Sequence, residues 1–124
     1  MVPFLFMKES ELLSFALTRL KQSGLVAWRV PNGPVMHSIN GGQKVFKKSP
    51  IKGFPDIAGV LGNGKFFAIE LKTEKGRLSP EQLEWITKLN MSGAMAVVLR
   101  SREEIESFVQ AAAQIKPHAG AQGL

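Results

Sequence analysis

The sequence predicts an α/β domain of the α+β type, a mixed sheet flanked by helices, in the order helix, three strands, helix, strand, helix. Three observations carry that prediction. An apolar stripe with helical spacing opens the chain. Two strand-like runs flank Gly62, Asn63 and Gly64, which together read as a hairpin turn. A well-capped helix over 79–93 then separates the second run from another buried strand, and a helical crossover favours parallel pairing.

The elements follow in order. Over residues 8–22, Leu12, Leu13, Ala16, Leu17 and Leu20 recur at the period of an amphipathic helix, and Gly24 stops it. Residues 25–30 read as a strand, ended by the turn signal of Pro31, Asn32, Gly33 and Pro34. Residues 31–53, with four glycines, three prolines and Lys44, Lys47, Lys48 and Lys52, are expected to form one long loop. Residues 56–61 and 65–72 form the hairpin, with a two-residue turn at its tip. The second of these strands has apolar residues on both phases, so it is expected to be central and covered on both sides. Ser79 suits the N-cap of the next helix, Pro80 its first position and Gln82 the capping box. Leu83, Ile86, Leu89 and Asn90 carry that helix to Gly93, and residues 94–99 form a buried strand. Ser101 and Glu104 make a second capping box, opening a last helix to about Ile115. One domain is expected over 1–124, with a core of about 8–115 and a flexible tail over 116–124.

Composition narrows the function. The chain has 124 residues and no cysteine, which excludes a disulfide scaffold, a thiolate zinc site and a cysteine nucleophile. The absence of cysteine also fits a reducing, cytoplasmic location. No apolar run approaches the ~20 residues of a membrane span, and the short apolar start is not read as a signal peptide. Sixteen Lys and Arg against ten Asp and Glu give a net charge of +6, an excess that attracts polyanions such as nucleic acid.

The chemistry concentrates on the hairpin. Asp56 and Glu70 each lie seven residues from Asn63, so they face each other across the ladder at one end of the sheet. Lys72, two residues beyond Glu70, points to the same face. Two facing carboxylates repel unless a cation sits between them, and a hard cation such as Mg²⁺ takes carboxylate oxygens plus water. Such an ion activates water and stabilises a leaving oxygen, and a lysine beside it stabilises charge on a phosphoryl group.

These residues, Pro55 and Asp56, a hairpin, then Glu70 and Lys72, resemble the PD-(D/E)xK nuclease superfamily. The surrounding residues resemble its virus-type replication-repair nuclease (VRR-NUC) family. They are the early glutamates, Trp28 and Arg29, the run Gly53 to Asp56, the run Ile69 to Thr73, the run Gly76 to Ser79, and Gln82 with Trp85. The resemblance runs from about residue 8 to 99 and is to the stand-alone phage and bacterial type. It implies a restriction-endonuclease-like αβββαβ core and a Mg²⁺-dependent (or Mn²⁺-dependent) endodeoxyribonuclease. Branched DNA, such as Holliday junctions or flaps, is the implied substrate. It implies Asp56, Glu70 and the Leu71 backbone carbonyl as metal ligands, Gln82 as a site residue, and an acid on the first helix. At 100° per residue the stripe of that helix points toward Glu9 and away from Glu11, so Glu9 is expected to be that acid. Ser10 as N-cap would leave Glu9 just outside the helix.

Arg29, Lys44, Lys47, Lys48, Lys52, Lys75 and Arg77 are expected to contact phosphates around the acidic centre. His37 is given no catalytic role, and Trp28 and Trp85 are expected in the core. Cutting both strands of a symmetric junction needs two sites, which a homodimer supplies, with residues 2–7 and the last helix as interface candidates. Two alternatives stand beside this reading, a non-catalytic nucleic-acid-binding module and a sequence-specific restriction-type nuclease. The short chain leaves no room for a separate recognition domain.

Overall fold

The computed structural model describes residues 7–31, 35–38, 40–47 and 50–117, with the side chains of 35–38, 40 and 45–47 left aside. The expected tail beyond 117, Lys48 and residues 2–6 of the expected interface lie outside the described residues.

Helix α1 (Glu9–Gln22) leads into β1 (Val26–Arg29), and β2 (Val35–Ser38) and β3 (Lys44–Lys47) follow. Then come β4 (Ile57–Val60), β5 (Phe66–Leu71), α2 (Pro80–Met91), β6 (Met95–Leu99) and α3 (Arg102–Ala113). The main sheet has the order β1-β4-β5-β6. Its first three strands are antiparallel, and β6 joins β5 in parallel after the α2 crossover. This is the mixed sheet with flanking helices expected from the sequence.

Pleating separates two faces. Phe67, Ile69 and Leu71 of β5, with Ile57 of β4, point toward α1 and α3 and join Leu12, Ala16, Leu20, Ile105 and Val109 in one buried core. Arg19 of α1 and Glu106 of α3 pair across the helices, and Arg102 lies over the Phe15 ring at 4.4 Å. The opposite face carries Ala58, Ala68 and Ala96 in one cross-strand row. The helix on this side, α2, packs against β6, where Asn90 donates to the Ala96 carbonyl and accepts from the Ala96 amide.

Four expectations need correction. Residues 31–53 are not one loop, because β2 and β3 pair there as a separate antiparallel sheet. The hairpin tip has three residues: Leu61 N–H donates to Lys65 O, and Gly64 supplies the positive φ of 88°. An odd loop centred on Asn63 is what makes residues equidistant from it face each other. At α3, Ser101 caps Glu104 N–H, but the Glu104 carboxylate accepts from Arg100 N–H, so no reciprocal box forms. Trp28 is 46% exposed, outside the core where it was expected, because α2 covers the β6 side of its face.

Among the described residues no helix is long and apolar enough to cross a membrane.

Candidate active site

The chain arrives at Asp56 along a path fixed by packing. Gly53 has a φ of 85°, and a Cβ there would lie 2.6 Å from Glu81 Cβ, so both its backbone conformation and its neighbour at the start of α2 require glycine. Phe54 packs edge-on against Trp85 with ring centroids 5.0 Å apart, and Trp85 Nε1 donates to the Lys52 carbonyl. Trp85 is thus half-buried and packs on the segment before Asp56, outside the core where it was expected. Pro55 is buried, and Asp56 follows immediately before β4.

The register then sets the pair. Ile57 faces Ile69, so Asp56 stands opposite Glu70 one step beyond the ladder's end. Val30 N–H donates to Asp56 O on the other side, continuing the β1–β4 pairing. Asp56 Oδ2 accepts the Leu71 N–H at 2.8 Å, replacing the main-chain acceptor lost where the strands diverge. A strand residue's N–H and C=O point to the same neighbour, so the Leu71 carbonyl also faces the Asp56 side.

Glu70 is 2% exposed. Its Oε2 accepts from Gln82 Nε2 at 3.0 Å and lies 4.0 Å from Lys72 Nζ. Gln82 also closes the α2 capping box, accepting from Ser79 N–H through Oε1 and donating its own N–H to Ser79 Oγ. One side chain thus orders the helix start and holds Glu70. Burial pushes the Glu70 carboxyl up to about 8, with the Asp56 charge adding to it, Lys72 opposing, and a hydrogen bond with Asp56 and the Glu9 charge adding smaller increments.

The two early glutamates of the first helix differ in their surroundings. Lys8, not Ser10, is the N-cap, so Glu9 lies inside the helix. Glu11 accepts from Lys8 N–H at 3.0 Å, which turns it to the helix end, whereas the charge of Glu9 reaches Glu70. Among the described residues no three His, Cys, Asp or Glu side chains gather closely enough to hold a metal ion. The donor set available to a cation is thus two carboxylates, a strand carbonyl and water. That set suits a hard divalent cation, which would relieve both causes that raise Glu70, its burial first and the Asp56 charge second.

The surrounding cations are spread more widely. Lys44, Lys52, Lys75 and Arg77 are exposed, while the side chain of Lys47 lies outside the described residues, as does all of Lys48. The 30–55 connection and the segment after β5 both leave the sheet at the Asp56 end. Arg29 is exposed opposite Ile57, on the α1 face, so pleating turns it away from the face that carries Glu70 and Lys72. One contributor has no signature in the sequence: Arg100, after β6, donates through Nη1 to the carbonyls of Thr73 at 2.9 Å and Gly76 at 2.6 Å. It fixes the loop that carries Lys75.

The VRR-NUC domain model matches residues 7–103. A solved structure entitled "VRR_NUC domain" superposes with a TM-score of 0.60 at 21% identity, covering 85% of this chain and 97% of that one. A comparison with curated proteins returned no significant match. With the family model spanning most of the sequence, and the same fold in a solved domain of that title, the chain belongs to the VRR-NUC family and has its nuclease-type fold.

Proposed function

We propose that the protein is a Mg²⁺-dependent endonuclease that hydrolyses phosphodiester bonds in DNA, with branched or otherwise structured DNA as its substrate. The observation that carries this reading is the buried Glu70 carboxylate facing Asp56, with Lys72 within 4.0 Å. A strand face without chemistry has no reason to bury one carboxyl beside another.

Asp56, Glu70 and the Leu71 carbonyl would hold the cation, and Mn²⁺ suits the same oxygen donors. When bound, the cation supplies an activated water and neutralises charge on the phosphate. Asp56 is held for this task by the Leu71 amide, and Gln82 holds Glu70. In the metal-free protein burial favours the protonated Glu70 carboxyl, and a bound cation would displace that proton. Lys72 contributes a donor that hydrogen-bonds a non-bridging phosphate oxygen or orients the attacking water. Glu9 shapes the field at Glu70 from the first turn of α1. Arg29, Lys44, Lys47, Lys48, Lys52, Lys75 and Arg77 contact phosphates, which gives affinity without sequence choice. Paired incisions across a symmetric junction call for a homodimer.

The test is incubation of the purified protein with labelled duplex, flap and four-way junction DNA, in Mg²⁺ and in chelator. Cleavage in Mg²⁺ alone, fastest on the branched forms, is expected. Equal cutting of all three overturns the structure selectivity, and cutting in chelator overturns the metal.

A further inference from the structure

Trp28 lies on the face of the sheet that carries the candidate site. It pairs with Ala58, and Asp56 is two residues from Ala58 on the same strand, so Trp28 and Asp56 are diagonal neighbours on one face. Diagonal neighbours in such a ladder are about 7–8 Å apart, with their Cβ atoms somewhat closer, about the length of one nucleotide of backbone. The residues between are small: Ala58 and Ala68 occupy the row beside the indole. The exposed apolar surface then continues away from the site, with Val26 61% exposed and paired to Val60.

We infer that Trp28 is a stacking platform for an unpaired nucleobase next to the phosphodiester held at Asp56 and Glu70. This inference rests on the proposed nuclease reading and adds to it the means of selecting structured DNA. An indole that is 46% exposed can stack on any base, whatever its identity, and a base held in a duplex cannot reach it. Phosphate contacts from the basic residues hold paired and unpaired DNA alike. Stacking at Trp28 favours DNA with a base free beside the cleavage point, as at a flap or junction. The occupant is a base because the platform adjoins the carboxylate pair on a chain of net charge +6.

The test is equilibrium binding in Ca²⁺ of a duplex with a single-stranded flap and of a blunt duplex, using the wild type, Trp28→Ala and Trp28→Phe. Trp28→Ala is expected to weaken flap binding by about five- to a hundred-fold, the usual worth of one stacked base, and to leave blunt duplex binding unchanged. Trp28→Phe, which keeps a ring, is expected to recover most of the loss. Equal loss on both DNAs, or no loss on either, overturns the inference. So does a Trp28→Ala protein that changes from dimer to monomer in sedimentation, because the face is then a subunit interface. The binding comparison needs no cleavage. A wild type that binds flaps through Trp28 but fails to cut in Mg²⁺ refutes the nuclease reading alone.

Discussion

Glu70→Gln stabilises the metal-free protein at alkaline pH. The Glu70 carboxyl is 2% exposed and pushed up to about 8, against an ordinary 4.5. The folded protein therefore holds a proton that the unfolded chain releases. The stability this group contributes is fully present below about pH 4.5 and is lost as pH rises toward 8. At about 1.4 kcal/mol per pH unit, the loss between about pH 5.5 and pH 8 is at most about 3 kcal/mol. Glutamine removes the titration and keeps the contacts: its carbonyl accepts from Gln82 Nε2 and its amide faces the Asp56 carboxylate. Urea unfolding in chelator at both pH values measures the effect. The wild type is expected to lose stability between them through this group, Glu70→Gln is expected to lose about 3 kcal/mol less, and Mg²⁺ is expected to restore the wild type alone. A variant with the full wild-type pH dependence, or one less stable than wild type at about pH 8, refutes the assignment of Glu70 as the buried acid of a cation site.

Other perturbations separate the remaining roles. Asp56→Asn is expected to abolish cleavage while DNA affinity in Ca²⁺ stays near wild type, because it removes a ligand and leaves the basic surface; near wild-type cleavage overturns the assignment. Lys72→Ala is expected to slow single-turnover cleavage at saturating Mg²⁺ by about 10²- to 10³-fold, and an unchanged saturated rate with weaker metal binding counts against its role. Glu9→Gln is expected to reduce activity and Glu11→Gln to leave it intact, since the amide oxygen introduced by the second change still accepts from Lys8 N–H; kinetics with the order reversed contradict the helix geometry. Neutralising Lys47 and Lys48 together is expected to flatten the log–log salt dependence of duplex binding by about two units, and an unchanged slope removes that connection from the DNA path.

The hairpin was readable because its register needs only local information: the turn residues around Asn63 locate its tip, and the two-residue alternation then places Asp56, Glu70 and Lys72 on one face. The caps at Ser79 and the stripe of α1 are equally local. What escaped depends on tertiary context. The β2–β3 pair lies between glycines and prolines, whose turn signals outweigh short runs such as Lys44–Lys47. The exposure of Trp28 follows from how far α2 reaches across the sheet, and no periodicity within β1 encodes that. Arg100 is marked by nothing around it, because its partners are carbonyls of a loop 24 to 27 residues earlier. The dual role of Gln82 is half readable, the cap from Ser79 and the bond to Glu70 only from the packing of α2 on the sheet.

Internal cutting of DNA with a divalent cation is tested most directly on a covalently closed circle bearing an extruded cruciform. Such a circle has no ends, so any opening is endonucleolytic. Endonuclease activity with a divalent cation predicts nicked or linear product in Mg²⁺ and an intact circle in chelator. A circle that the protein binds in Mg²⁺ but leaves closed contradicts it, and identifies a DNA-binding module on a nuclease fold.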